Sequence, residues 1–237
     1  QYYTVTLFHC IFAFFVMYDP VFVTIHAYVV LLAGIYLSLN DKNAERILYI
    51  IGYILGSELI WRGFGANIFW ESGKLFIILF LTIIAYRLRS NDISGRLGIV
   101  FIVLLLPSLI QLEEFNRSDL SHAMLGPILI GISVITFSNI HLNKIMLTKL
   151  LLYALMPIVT FLIITNINTI ESGNFNYTSA YLHRIETGGI GPNQASNILG
   201  LGALISFLLT QLNTNRYTLF FQIVGIITII QTILTHS

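Results

Sequence analysis

Residues 184–200, RIETGGIGPNQASNILG, set an arginine, a glycine-rich turn and a Pro-Asn pair directly ahead of a long uncharged run. That order of residue types suits the gripping of an anion. Pro192 fits the first position of a helix, where a missing N–H costs nothing, and Gly191 fits the N-cap. Asn193, Gln194, Ser196 and Asn197 keep the first turn polar. The free N–H groups of such a turn, with the positive end of the helix dipole, attract negative charge. Arg184 adds a guanidinium that stays charged at any working pH and can hold two phosphate oxygens at once. An arginine that merely sits at a membrane interface is the bland alternative; the turn chemistry beside it favours a site.

Other charges group around this stretch. Glu58 lies one helical turn before Arg62 in an otherwise apolar run. A carboxylate in such a place is costly unless paired, so a structural pair and a catalytic one are equally open. His183 and Glu186 flank Arg184, and His236 stands at the chain end. Glu113, Glu114 and Asp119 read as solvated interface residues. His9, His26 and His141 are scattered and have no metal-ligand spacing, and Asp19, Asp41, Asp92 and Asp119 are isolated. No metal site and no cofactor is expected. Cys10, alone in an apolar run, supplies neither a disulfide nor a thiolate site. A P-loop, a Ser-His-Asp arrangement and a basic block interleaved with aromatics are all missing, so nucleic acid is not an expected partner.

The elements that must carry these residues are helices in lipid. The chain is 56% hydrophobic and only 10% charged over 237 residues, with a mean hydropathy of +0.83. Soluble domains carry roughly 25% charged residues. An all-α, polytopic integral membrane bundle is expected, built as one transmembrane domain over 1–237. A membrane helix needs roughly 20 apolar residues. Uncharged runs predict about nine spans near 2–18, 21–39, 44–60, 74–90, 97–112, 121–140, 147–166, 193–211 and 217–235. Tyr18-Asp19-Pro20 predicts a tight turn, and Trp61–Gly73 a re-entrant or interfacial elbow. Gly52 and Gly56 form a GxxxG pair that predicts close helix packing. Loop Lys and Arg residues divide eight to four between alternate sides, which predicts that the poorer side faces outward. That side holds Arg62, Arg117, a loop of about 166–191 with Arg184, and His236. Gln1 and Ser237 both adjoin apolar runs, so a C-terminally incomplete chain is expected.

At these residues the sequence resembles the O-antigen ligase and O-antigen polymerase superfamily of bacterial envelope glycosyltransferases. The resemblance rests on Arg184, Gly188 and Gly191-Pro192-Asn193 leading into a membrane helix. It is joined by Leu234-Thr235-His236-Ser237, similar to the start of the family's Thr-x-Ser-Arg-Gly element. Residues 58–74 and 120–127 also look like members of this group. The family's later spans, its large outward loop and its further arginines and histidine are absent from the chain.

The resemblance implies transfer of a glycan from an undecaprenyl-diphosphate carrier to a sugar hydroxyl, on the outer face of the bacterial cytoplasmic membrane. The acceptor would be another lipid-linked glycan (polymerase) or lipid A–core (ligase), with a chain-length regulator as a further partner. Charge develops on the departing diphosphate, so fixed cations and N–H donors are needed there. Arg184 and Arg62 are the expected cations, without a metal. Gly188, Gly191, Pro192, Asn193, Asn197 and His183 are the expected substrate-binding residues. Glu58, His183, Glu186 and His236 are unranked candidates for the base. The rival reading is a transporter or flippase for an anionic lipid or solute. Transporters usually show two related halves and interrupted helices at mid-membrane, and the sequence shows no repeat.

Overall fold

The computed structural model describes residues 2–40, 44–88, 97–104, 117–172, 191–212 and 217–236. Among them every regular element is helical: α1 (Tyr2–Tyr18), α2 (Pro20–Asn40), α3 (Ala44–Gly63), α4 (Ser72–Arg87), α5 (Arg117–Phe137), α6 (Lys144–Ser172), α7 (Pro192–Leu212) and α8 (Thr218–His236). Residues 97–104 are helical too. The helices fall where the uncharged runs lie. Among the described residues, four stretches are long and apolar enough to cross a membrane: Pro20–Asn40, Lys144–Ile170, Asn193–Leu212 and Thr218–Thr235. The remainder are shorter or more polar. α4 has 16 residues, Thr4–Tyr18 and Met124–Phe137 are short apolar helices, and α3 carries Glu45, Arg46, Glu58 and Arg62.

Local chemistry sets the helix ends. The Asp19 carboxylate accepts the Val21 N–H at 2.8 Å, and its carbonyl accepts the Phe22 N–H at 3.1 Å. With Pro20 following it, Asp19 is an N-cap, and the expected tight turn is this one residue. α3 runs on through Trp61 and Arg62 to Gly63, so the expected elbow shrinks to residues 64–71. Gly65 has φ +72° and the Ala66 N–H reaches back to the Trp61 carbonyl at 3.0 Å. This is a Schellman stop, with glycine in the left-handed position. α6 likewise continues through Ser172, six residues past the point where the sequence suggests a loop.

Side chains on the helices sort in an inverted way. On α2, Val21, Ile25, Tyr28, Val29, Leu32, Tyr36 and Leu39 are exposed while Val23, Ala27, Val30 and Leu31 are buried. Both stripes are apolar, as a lipid-facing helix requires. Small and hydroxyl residues mark the inward stripes instead: Ala13, Ser57, Thr160, Ser206 and Thr228 are fully buried. Close backbone approach and hydroxyl bonds replace the hydrophobic contrast that drives packing in water.

The chain forms two compact units, residues 1–30, 52–68 and 144–237, and residues 31–51 and 69–143. In the second unit Gly98 and Gly131 pack against each other's helix backbone, where a Cβ on Gly98 would stand 2.6 Å from the Gly131 carbonyl. The Thr136 hydroxyl there donates to the Leu81 carbonyl at 3.1 Å, and the Arg87 guanidinium donates to the Ser38 carbonyl.

The first unit holds α1, half of α2 and of α3, and α6 to α8. Gly52 and Gly56 lie on Leu150 and Ala154, and Thr6 and His9 meet Met156 and Thr160. Hence α1, α3 and α6 run parallel. Pro20 lies under Gly65, while His26, further along α2, meets Tyr53, further back in α3, so α2 runs against α3. Gly202 faces both Ile158 and Thr228, Ser206 faces Gly225, and Gln231 donates to Thr169 at 3.2 Å. These contacts set α8 parallel to α6 and α7 against both. The C-termini of α1, α3, α6 and α8 therefore share one pole of this unit with the N-termini of α2 and α7.

A Cβ on Gly56 would stand 2.3 Å from the Ala154 carbonyl oxygen, whereas one on Gly200 meets nothing within 4 Å among the described residues. Gly56→Ala should therefore lose about 1–3 kcal/mol through forced separation of α3 and α6. Gly200→Ala should lose nothing and gain up to about 1 kcal/mol from helix propensity. Thermal unfolding of both variants in detergent measures the difference. Equal melting points would mean α3 and α6 are not in backbone contact.

Candidate functional site

The shared pole of the first unit is where the candidate residues collect. On α3, the Arg62 guanidinium bonds the Glu58 carboxylate at 3.2 Å, with side chains only 11% and 12% exposed. The one-turn spacing puts both on one face of the helix. Just beyond, the Schellman stop turns the chain back over α2. The Asn67 N–H donates to the Thr24 hydroxyl at 2.9 Å, and the Tyr28 hydroxyl donates to the Asn67 carbonyl at 3.2 Å. The backbone that leaves α3 is thus clamped through both the N–H and the carbonyl of Asn67.

α7 starts at the same pole. The Gly191 carbonyl accepts N–H groups from Gln194 at 2.9 Å and Ala195 at 3.2 Å. Gly191 is therefore the N-cap and Pro192 the first helical residue, as the residue types imply. Asn193, Gln194 and Asn197 are exposed, while Ala195, Ser196, Ile198 and Leu199 are buried. The Ser196 hydroxyl turns back onto the Asn193 carbonyl at 3.1 Å, so it is spent locally. The polar first turn presents amides and N–H groups, and apolar side chains anchor it behind.

The two features stand at different depths. Gly56 rests on Ala154, and Gly202 on Ile158 one turn further along α6. Counting helical rise from those contacts sets Gly191 roughly 13 Å farther out than Arg62. They do not meet at a point; they lie at different depths of the same pole. Ser172 and Gly191, which flank residues 173–190, both lie at its outer end. Residue 236 ends α8 there as well. His183, Arg184, Glu186 and Gly188 lie outside the described residues, as do Glu113, Glu114 and the side chains of Pro192 and His236.

One group escaped the sequence reading. His9 and His26, 17 positions apart and unremarkable in spacing, are brought together by the α1–α2 hairpin. Both reach the Tyr53 hydroxyl, His26 through Nε2 at 2.8 Å and His9 through Nε2 at 3.4 Å. Trp61 Nε1 donates to His26 Nδ1 at 3.0 Å, and His9 Nδ1 pairs with the Thr160 hydroxyl at 2.9 Å. Phe12 stacks obliquely on His26 with ring centroids 4.4 Å apart. The only advance signal was two histidines in apolar spans, where a lone polar ring must find a partner. Among the described residues no three His, Cys, Asp or Glu side chains gather to hold a metal ion.

No protein-family model, curated protein or solved structure matches this chain. The residues themselves must therefore carry the functional reading.

A pair this shielded should couple more strongly than a surface ion pair. A double-mutant cycle on Glu58→Gln and Arg62→Gln, read by thermal unfolding in detergent, should return more than about 1 kcal/mol, against about 0–1 for exposed pairs. A coupling near zero would mean that solvent, rather than Arg62, satisfies Glu58.

Proposed function

We propose that this protein is a membrane glycosyltransferase that draws an undecaprenyl-diphosphate-linked glycan to the shared pole of the first unit and passes it to a sugar hydroxyl. One observation carries this reading. The shielded Glu58–Arg62 pair and the polar, exposed start of α7 lie at one end of the unit, with the flanks of the Arg184 segment. A lipid-linked donor is an extended amphiphile, with its charge on a diphosphate near the headgroups and a polyprenyl tail in the bilayer. Such a molecule suits a site spread over depth better than a closed pocket.

In this reading Arg184 and the N–H groups of Gly191 and Asn193 take the diphosphate oxygens, with Pro192 shaping the turn and Gly188, His183 and Asn197 lining the same approach. Arg62 supplies the second cation. The acceptor hydroxyl oxygen attacks the anomeric carbon, and the bond from that carbon to the diphosphate oxygen breaks. The bonding electrons leave with the diphosphate, where fixed cations and N–H dipoles stabilise the growing charge without reorganising. The hydroxyl proton goes to a base, for which Glu58, His183, Glu186 and His236 remain the candidates. Glu58 has one distinguishing property: Arg62 already compensates its charge. The pole faces away from the cytoplasm, as the Lys and Arg bias implies. Acceptor glycan or lipid A–core approaches from that side, and a chain-length regulator acts from outside this chain.

Transporters usually show two related halves and interrupted helices meeting at mid-membrane. The sequence shows no such repeat, which speaks against a transporter or flippase.

Arg184→Ala should abolish chain extension or ligation, a loss of about 10²–10³-fold for one removed charge donor. Arg184→Lys should be impaired as well, because ammonium lacks the two-pronged geometry. Arg62→Ala should shorten products too. Glycan ladders, or lipid A–core modification, on gels of cells with normal membrane levels of each variant provide the measurement. A full ladder from Arg184→Ala would remove this site from the mechanism.

A further inference from the structure

The buried group around Tyr53 permits only one arrangement of its protons. Trp61 Nε1 can only donate, so His26 Nδ1, 3.0 Å away, is bare. The proton of neutral His26 then sits on Nε2 and is given to the Tyr53 hydroxyl at 2.8 Å. That hydroxyl has one proton of its own, and the remaining partner is His9 Nε2 at 3.4 Å. His9 in turn carries its proton on Nδ1 and gives it to the Thr160 oxygen at 2.9 Å. The Thr160 hydroxyl ends the series by donating to the His9 carbonyl at 3.1 Å. A donor-only indole closes one end and an acceptor-only carbonyl the other. The indole end fixes the order, and the carbonyl end is satisfied by it.

We propose that Trp61, His26, Tyr53, His9 and Thr160 form a one-way hydrogen-bond chain, with both imidazoles neutral and in opposite tautomers, that positions the Glu58–Arg62 end of α3. The chain ties α3 to α2, α1 and α6, and Trp61 is the residue before Arg62. It is also the residue whose carbonyl closes the Schellman stop at Ala66. Rotation or sliding of α3 would break several of these bonds at once and leave buried donors and acceptors with nothing to meet. The chain is not a path for proton conduction, because neither end group exchanges protons with solvent. Nor does it resemble a metal site, since every nitrogen lone pair and N–H already has a protein partner. His9, His26, Tyr53, Trp61 and Thr160 are thus positioning residues. Their bearing on catalysis rests on the functional reading of Arg62 above; the proton order does not.

Solid-state NMR of the protein in lipid bilayers, with 13C,15N-labelled histidine at neutral pH, reads the proton order directly. His26 should be protonated at Nε2 and bare at Nδ1, and His9 the reverse. His9→Gln and His26→Gln assign the two rings by deletion. Should either variant fail to fold, Tyr53→Phe keeps both rings and should shift both Nε2 signals. Two rings in the same tautomer, or either ring doubly protonated, would overturn the chain. The positioning role is read with purified protein and lipid-diphosphate glycan donor. Tyr53→Phe should raise the apparent KM about tenfold, the loss of one buried hydrogen bond's worth, with kcat little changed. A merely structural loss lowers the amount of active protein without moving KM, and that result would overturn the positioning role. If instead Arg62→Ala leaves donor use unchanged, the reading of the pole fails while the tautomer result stands.

Discussion

Inside a bilayer a polar group has no water to turn to, and the first unit is organised around that constraint. Most buried polar side chains there find a partner on another helix or in their own preceding turn, the fully buried Ser206 hydroxyl being an exception among the described residues. The partners on neighbouring helices then become the fixed points of the bundle. Thr160 serves this purpose for α1 and α6, through both the ring and the carbonyl of His9. Thr169 does so for α8, through Gln231. Thr24 and Tyr28 do so for the turn after α3, through Asn67. The hydroxyls of Thr165, Thr228 and Thr235 instead fold back onto carbonyls of their own helices. Such groups add no cross-link, but they let a small polar residue sit at a helix contact without cost.

Backbone approach is the second half of the same logic. Lipid tails are as apolar as leucine, so burying one more leucine gains little over leaving it in contact with lipid. Gly56 lets α3 lie directly on α6, with the Ala154 carbonyl where a methyl group would otherwise be. Dispersion between the two backbones, and the hydroxyl bonds that the short distance permits, then hold the helices. The GxxxG pair and the His9–Tyr53–His26 group thus depend on each other. Gly52 and Gly56 bring α3 close enough for Tyr53, which lies between them in sequence, to reach across to α1 and α2.

Helix positions were legible because a membrane helix announces itself as an uncharged run. The runs near 21–39 and 193–211 differ by a residue or so from α2 and α7. Asp19-Pro20 and Gly191-Pro192 fixed helix starts by turn chemistry alone. What could not be read was the inward stripe. On α2 the buried Val23 and Ala27 and the exposed Val21 and Ile25 are equally apolar, so no period separates core from lipid. For the same reason His9 and His26 looked isolated. Their meeting depends on the rotation of three helices, which hydropathy does not encode. The extent of α3 was misjudged in a related way. Arg62 looks like a loop residue, yet its bond to Glu58 lets the helix carry it one more turn to Gly63.

Depth gives the pole its chemical meaning. An anion site assembled at a single point needs its cations within contact distance, and there an arginine beside a glutamate would be neutralised as often as it binds. At this pole the Glu58–Arg62 pair sits deep and α7 begins roughly 13 Å nearer the surface. The deep pair is electrically balanced, so its burial does not leave a lone charge in lipid. The outer helix start carries only partial charge, which an exposed first turn tolerates. In the proposed function, a diphosphate drawn onto the deep arginine would displace a carboxylate from it. That carboxylate would be released only once the substrate had arrived, beside the substrate rather than in bulk solvent. A base held back by its own counter-ion until the donor is bound would not meet water first, and hydrolysis is the side reaction a glycosyltransferase must avoid. In that proposal the electrostatics of one helical turn would set the order of events.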